Sequence, residues 1–575
     1  MCGLTLTIRP LPASSTKPEE RNAAIPALLD SFRSTNTQRG PDSQRSHTEI
    51  VDLDNGRQVE VVLNATVLGL RGELTAQPMI GKRGVLGWNG QVFEGIDVQK
   101  DENDTRKLFE RLEAGEEPEE ILRGVEGPFA FIYLDLVTQT VHYQLDPLSR
   151  RSLLIHPVDD TTYSHTEYLI LSSSRSTSAR EQGIDMRALL GGEGGTIRLK
   201  DIIVQTAENG LEINLDRAMN QHSTLHQAES SSSAATFTRV TSINSFIPSH
   251  EPPFNNPAVE AEVSRFIDHL RTSVRKRVEN IPDPEPGQAR VAVLFSGGID
   301  CTFLAYLLHD CLPLSDPIDL INVAFSTAPK TLNPNDKGKG KALPLPTYDV
   351  PDRLSGRDAV AELRQVCVGR EWRFVEVNVP YEETQAHRQR VLDLMYPSGT
   401  EMDLSLALPL YFASRGLGTL EGSGEAYQVR AKVYISGLGA DEQLGGYARH
   451  RHAFQRGGWP GLVDETQMDI SRLPTRNLSR DDRLISSFAR DARYPYLSLS
   501  FISYLSSSPI HLKVDPRMKE GQGDKLLLRK AVRSVGLMRA SERVKRAMQF
   551  GTRSSKVGGS GSGVKGPKAG ERLVE

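Results

Sequence analysis

Val291-Ala292-Val293-Leu294-Phe295-Ser296-Gly297-Gly298-Ile299-Asp300-Cys301 decides the fold of the second half of the chain. Its five apolar residues form the kind of run found in strands buried on both faces of a parallel sheet. Ser296, Gly297 and Gly298 break that run, and the residues after them read as helix. Two adjacent glycines let backbone N–H groups approach phosphate oxygens at the start of a helix, where the helix dipole favours anions. Asp300 is then placed to hold a magnesium ion bridging those phosphates. No Gly-x-x-x-x-Gly-Lys-Ser/Thr run occurs, so a Walker-type nucleotide site is not indicated.

Working outward, Ala258–Val278 carries Val259, Val263, Phe266, Ile267, Leu270, Val274 and Val278 at helical spacing. Ile318–Phe325 and Phe374–Val379 read as strands, with helix between them at Ala359–Val366. Strands alternating with helices indicate an α/β domain with a parallel sheet. A second strand-to-glycine turn follows at Tyr434-Ile435-Ser436-Gly437-Leu438-Gly439-Ala440-Asp441-Glu442. Asp441 and Glu442 can complete a magnesium site with Asp300. His450 and His452, beside Arg449 and Arg451, are expected on a solvated helix face.

The first 200 residues have a different texture. Leu4–Ile8, Val59–Val67, Phe129–Leu136 and Tyr168–Leu171 are β-branched, apolar runs separated by turns. One helix is expected from Thr105 to about Glu113, capped by Asp104. Cys2 becomes the first residue once Met1 is removed, which puts its thiol beside a free α-amine able to act as its base. Arg39-Gly40-Pro41-Asp42 offers a guanidinium at a tight turn, suited to a carboxylate. Asn89 and Gly90 offer an amide and a backbone N–H for an oxyanion. Asp104 offers a carboxylate for a substrate ammonium.

Composition narrows the class. The 575 residues hold 69 Lys and Arg against 73 Asp and Glu, a net charge of −4, without the basic footprint of a nucleic-acid binder. No apolar run reaches the roughly 18 residues of a membrane span, and the N-terminus shows no secretory pattern. Four cysteines without a Cys-x-x-Cys pair suit a reducing, cytoplasmic setting. The expected organisation is a domain over residues 2–205, a linker over 206–256, a second domain over 257–555 and a disordered Gly/Ser-rich tail over 556–575. Residues 327–348, with Lys337-Gly338-Lys339-Gly340-Lys341, read as a mobile surface insertion.

Met-Cys-Gly, Arg-Gly-Pro-Asp, Asn-Gly and Asn-Asp-Thr, in this order, resemble the class II glutamine amidotransferase domain. That resemblance implies an N-terminal-nucleophile α/β/β/α sandwich. Cys2 would attack glutamine, Asn89 and Gly90 would stabilise the oxyanion, and Arg39 and Asp104 would bind the α-carboxylate and α-amine. Gln91 stands where that family usually has Glu. The Ser-Gly-Gly-x-Asp loop resembles that of N-type ATP pyrophosphatases, which adenylylate an acceptor, and Cys301 replaces the usual Ser. Both motifs together resemble the asparagine synthetase family. So do Met402-Asp403-Leu404-Ser405, Asn477–Arg483 and Ala492–Leu497. The resemblance implies a parallel-sheet domain of the adenine-nucleotide α-hydrolase type. It implies ATP and Mg2+ as cofactors, held by Ser296, Gly297, Gly298, Asp300, Cys301, Gly437 and Asp441. Lys545 or Arg546 would meet phosphate, and glutamine and an acceptor carboxylate, most economically aspartate, would be the substrates. Leu438 stands where glutamine-dependent bacterial members carry a Glu. A different acceptor, or a non-catalytic ATP-binding scaffold, is the alternative.

Overall fold

Strand β1 (Cys2–Leu11) pairs antiparallel with β3 (Gln58–Val67) along its full length, placing Cys2 opposite Val67 at one end. This computed structural model describes residues 2–11, 24–54, 56–207, 210–223, 242–327 and 347–557. The insertion expected over 327–348 lies almost wholly outside them, as does the tail from 558.

Two six-stranded sheets make the first domain. The remaining strands are β2 (Ser43–Asp52), β4 (Met79–Ile80), β5 (Gly84–Gly90), β6 (Phe129–Asp135), β7 (Thr140–Leu145), β8 (Leu154–His156), β9 (Leu169–Ser172), β10 (Arg187–Ala188), β11 (Glu193–Arg198), β12 (Ile203–Ala207), β13 (Gly210–Asn214) and β14 (Met219–Ser223). The sheet orders are β10-β8-β9-β1-β3-β2 and β14-β11-β7-β6-β5-β4, with β12 and β13 forming a separate ribbon. Alternating side chains of the two sheets, including Leu4, Leu6, Leu63, Ile132 and Leu134, interdigitate between them. On the outside, α1 (Ala24–Thr37) and α4 (Thr177–Glu181) bury Leu28, Phe32 and Ala179 against one sheet. On the other side, α2 (Asp104–Glu113) and α3 (Pro118–Gly124) bury Leu108, Phe109, Leu112 and Ile121. This is the α/β/β/α sandwich that the first motifs imply. Asn103, rather than Asp104, caps α2, accepting from the Thr105 N–H at 3.0 Å.

The sequence boundary at 205 falls short. β14 pairs in register with β11, so the second sheet runs to Ser223, inside the stretch expected as linker. Met219-Asn220-Gln221-His222-Ser223 carries no apolar run, and pairing with β11 makes it a strand, with Met219 packed on the core. Past the undescribed residues, Ile243 is buried in the second domain and the Asn244 N–H donates to the Ser506 carbonyl at 2.7 Å. At the other end Val557, expected in the tail, is also buried in that domain.

The second domain opens with α5 (Pro257–Val278) and β15 (Val291–Leu294), then α6 (Ile299–Cys311), β16 (Ile318–Phe325), α7 (Pro351–Val366) and β17 (Trp372–Val379). α8 (Tyr381–Met395), α9 (Glu401–Arg415), β18 (Leu417–Leu420), β19 (Ala426–Gln428), β20 (Val433–Ile435) and α10 (Ala440–Gln443) follow. α11 (Ala448–Arg472) kinks at Gly458 and leads through α12 (Leu478–Ser486) to β21 (Asp491–Arg493). The sheet order is β19-β18-β17-β16-β15-β20-β21. β17, β16, β15, β20 and β21 run parallel, and β18 and β19 add an antiparallel edge. Apolar clusters fill both faces, as the continuous apolar strands require. β15 and β20 are neighbours, so their two glycine turns emerge side by side at the carboxyl edge, where ligands of open α/β sheets bind.

The domains meet across a buried ionic seam. Arg150 and Arg277 both reach Glu126, at 3.2 and 3.1 Å. Arg151 reaches Asp491 at 2.6 Å, and Asp491 also takes Arg493 at 2.7 Å. Leu68 and Leu70, just past β3, are buried in the core of the second domain.

Candidate functional site

Cys2 stands at the start of β1, 5 % exposed. Its backbone N–H donates to Asn89 Oδ1 at 2.9 Å. Asn89 is fully buried at the end of β5, and its Nδ2 finds no hydrogen-bond partner among the described residues. An unpartnered buried amide beside the thiol is what an oxyanion site requires. Burial pushes the Cys2 thiol up, opposed in part by a backbone hydrogen bond from Leu68.

The pocket in front of Cys2 is lined by Gly90, Gln91 and Asp104, and also by Arg71 and Gln77, which sequence reading missed. Asp104 accepts from the backbone N–H groups of Val92 and Thr105 at 2.8 and 2.9 Å. Burial pushes its carboxyl up, and the Arg71 guanidinium opposes that. Arg71 donates to the Val98 carbonyl at 2.9 Å, and its Nε has no partner among the described residues. Gln77 fixes the wall: its Nε2 lies 3.6 Å from Cys2 Sγ while its Oε1 accepts from the Trp88 N–H at 2.7 Å.

Arg39 does not line this pocket. Asn36 O accepts from the Arg39 and Gly40 N–H groups, and that turn lies so close to β3 that a Cβ on Gly40 would meet Val67 N at 2.5 Å. The turn directs the Arg39 side chain into the domain seam. There its Nη2 bonds Asp482 Oδ2 at 2.7 Å and its Nε donates to the Cys2 carbonyl at 3.3 Å. Arg71 is the guanidinium that faces the pocket.

In the second domain Gly298 caps α6, and Gly297 adopts a left-handed φ of +75°. A Cβ there would come within 2.4 Å of the Ser355 backbone, so only glycine fits. Ser296 Oγ accepts from the Gly298 N–H at 3.3 Å, and Cys301 Sγ lies 3.3 Å from the Gly298 carbonyl oxygen. Gly437 abuts this loop, since its Cβ would sit 3.0 Å from Asp300 Cβ. The two turns therefore present one surface.

Asp300 and Asp441 converge on it. Lys525, missed in sequence reading, places Nζ 2.7 Å from both Asp300 oxygens and 2.7 Å from Asp441 Oδ1. Lys545 pairs with the other Asp441 oxygen. Burial alone would raise the Asp441 carboxyl, but Lys525 and Lys545 outweigh it and hold it well below the usual range. Arg546 instead faces Asp352, whose carboxyl burial pushes up to about 7 against Arg546 and Lys545. Glu442 points away from the pair: it accepts from the Tyr447 hydroxyl at 2.6 Å, and burial and Asp441 keep its pKa raised. Two adjacent carboxylates fit the share of Mg2+ coordination a protein supplies when phosphate oxygens provide the rest. Among the described residues no group of three or more His, Cys, Asp and Glu could cage a metal alone.

Leu438 is half-buried and packs against the apolar cluster on one face of the sheet. One expectation near this surface changes. His450 is fully buried, with Nε2 3.1 Å from Asp469 Oδ2, because α11 turns that side inward.

A double-sheet sandwich with a buried near-terminal cysteine, joined to a parallel-sheet domain with a Ser-Gly-Gly-x-Asp loop, defines an asparagine synthetase-like two-domain chain. Residues 266–464 match the asparagine synthase family. The human asparagine synthetase domain-containing protein 1 is 34 % identical, over 90 % of this chain and 91 % of the relative. Asparagine synthetase domain-containing proteins of Drosophila melanogaster and Saccharomyces cerevisiae are 30 % and 31 % identical, over 90 % and 86 % of this chain and 92 % and 83 % of theirs. The chain belongs to the asparagine synthetase family, among its domain-containing proteins.

Proposed function

We propose that the chain is a glutamine-hydrolysing, ATP-dependent amidotransferase that converts aspartate to asparagine. The observation that carries this reading is the orphaned Asn89 amide beside the Cys2 thiol, in the same chain as a phosphate loop. With Met1 removed, the Cys2 α-amine takes the thiol proton and Sγ attacks the glutamine carboxamide carbon. Asn89 Nδ2 and the Gly90 N–H hold the oxyanion. Collapse expels ammonia and leaves a glutamyl thioester, which water cleaves to glutamate. Arg71 takes the glutamine α-carboxylate and Asp104 its ammonium.

At the second site the backbone of Ser296–Cys301, with Gly437, cradles the ATP phosphates, and Lys545 neutralises charge on them. Asp300 and Asp441 would hold Mg2+, which neutralises the leaving pyrophosphate. The aspartate side-chain carboxylate attacks the α-phosphorus, pyrophosphate leaves, and ammonia from the first site displaces AMP to give the amide. Leu438 favours a second reading in which the acceptor is not aspartate, since an aliphatic side chain cannot take a proton from the attacking amine.

Incubation with Mg2+, ATP, glutamine and aspartate tests both. Equal yields of asparagine and AMP establish the first reading. Glutamate alone confines the chemistry to the Cys2 domain and points to another acceptor or a scaffold.

A further inference from the structure

Cys2 is held through both its backbone N–H and its carbonyl. Its N–H is fixed by Asn89 at 2.9 Å, and its carbonyl accepts from Arg39 Nε at 3.3 Å. Arg39 is held in turn by a residue of the other domain, Asp482 on α12, at 2.7 Å. Asp482 is fully buried. Besides Arg39 its carboxylate takes the Ser152 N–H at 3.1 Å and Arg151 Nη1 at 3.5 Å, both from the first domain. The next residue, Arg483, bonds Ser152 Oγ at 2.8 Å.

A buried ion pair between domains can simply hold them together, but the seam has other bridges for that. Glu126 with Arg150 and Arg277, and Arg151 with Asp491, cross or line it without bonding Cys2. Among the described hydrogen bonds, Asp482 is the second-domain carboxylate that reaches the Cys2 backbone through a single side chain. Arg39 also keeps one guanidinium nitrogen, Nη1, without a partner. Its orientation is thus fixed by its two bonds, to Cys2 and to Asp482.

We propose that Asp482 is a positioning residue for the Cys2 nucleophile: a carboxylate of the ATP-site domain orients Arg39, which fixes the Cys2 carbonyl and with it the direction of Sγ toward the oxyanion site. The proposal rests on Cys2 being the glutamine nucleophile. It makes glutamine hydrolysis depend on correct docking of the second domain even though the described residues that line the Cys2 pocket belong to the first. Loss of the anchor leaves the pocket walls, Arg71 and Asp104 in place, so substrate affinity is kept while attack geometry is lost.

The test is a double-mutant cycle in the full chain with Asp482→Asn and Arg39→Gln. Asp482→Asn keeps the shape but removes the charge and turns one accepting oxygen into a donor facing Arg39, Arg151 and Ser152. Each single variant is expected to lower kcat for glutamine hydrolysis by about tenfold or more, as misplacement of a reacting group does, with KM within about twofold of wild type. The double variant is expected to be no slower than the slower single one. Hydrogen exchange of the 2–11 peptide should quicken to the same degree in all three. Multiplying effects, a change in KM instead of kcat, or unchanged exchange would overturn the proposal. If the wild-type chain hydrolyses no glutamine, the nucleophile reading fails by itself. The anchor is then judged by exchange alone, and unequal exchange among the three variants overturns it.

Discussion

Lys525 Nζ sits 2.7 Å from both carboxylate oxygens of Asp300 and 2.7 Å from Asp441, 1 % exposed in side chain, where the two glycine turns meet. One ammonium thus bridges the two carboxylates proposed to hold magnesium. Burial opposes its charge, but Asp300 and Asp441 outweigh that and raise its pKa.

Lys525→Met leaves the carboxylates facing each other without that charge. Removing one partner of a buried pair costs about 3–5 kcal/mol, so the variant should melt several degrees lower. Mg2+ should raise its melting temperature more than that of wild type, because the metal supplies the missing charge. Calorimetry with and without Mg2+ checks this, and equal shifts would remove Asp300 and Asp441 from the metal site.

Cys2→Ala should abolish glutamine-dependent product while leaving ammonia-dependent ATP turnover intact. Asn89→Ala should lower kcat for glutamine hydrolysis about 10²–10³-fold, the usual effect of losing an oxyanion donor. Glutamate release, followed apart from AMP formation, separates the two.

The two guanidiniums near Cys2 should behave differently. Arg71→Met removes a charge-assisted contact worth about 1.5–3 kcal/mol, so KM for glutamine should rise about ten- to hundredfold. Steady-state kinetics on this variant and Arg39→Gln read the division: a KM effect at 71, a kcat effect at 39.

Lys513 is fully buried, with Nζ donating to the Leu505 carbonyl at 2.7 Å, and burial pushes its pKa down to about 7 from 10.5. Between those values the unfolded chain binds a proton that the folded one does not, so stability rises with pH across that window. Below about pH 7 both states carry the proton and the penalty is constant. Lys513→Met should therefore stabilise the protein by a few kcal/mol at neutral pH, and the gain should shrink towards pH 10. Urea unfolding at pH 7 and pH 9.5 measures it.

What the sequence made legible is local. Val291–Cys301 showed strand, turn and helix start because apolar run, glycine pair and helix spacing all lie within a few residues. Cys2, Asn89 and Asp104 were legible for a similar reason, each sitting in a short recognisable pattern. Lys525 was not: it lies 225 positions from Asp300, and the packing of the helix Leu526–Ser534 into the second domain's core brings them together. Arg71 and Gln77 likewise enter the pocket through the course of the chain after β3. Arg39 was read correctly as a charge at a tight turn but given the wrong partner, because its partner is 443 positions away. β14 was missed because a polar strand carries no apolar signature and owes its place to β11.

Leu68 draws these long distances together. Its backbone bonds towards the Cys2 thiol while its side chain is buried in the second domain. Domains generally fold as they leave the ribosome, first half first. A nascent chain therefore carries its cysteine with Leu68 uncovered and Arg39 unanchored until Asp482 has been made. Translation order itself delays completion of the Cys2 pocket until most of the second domain exists.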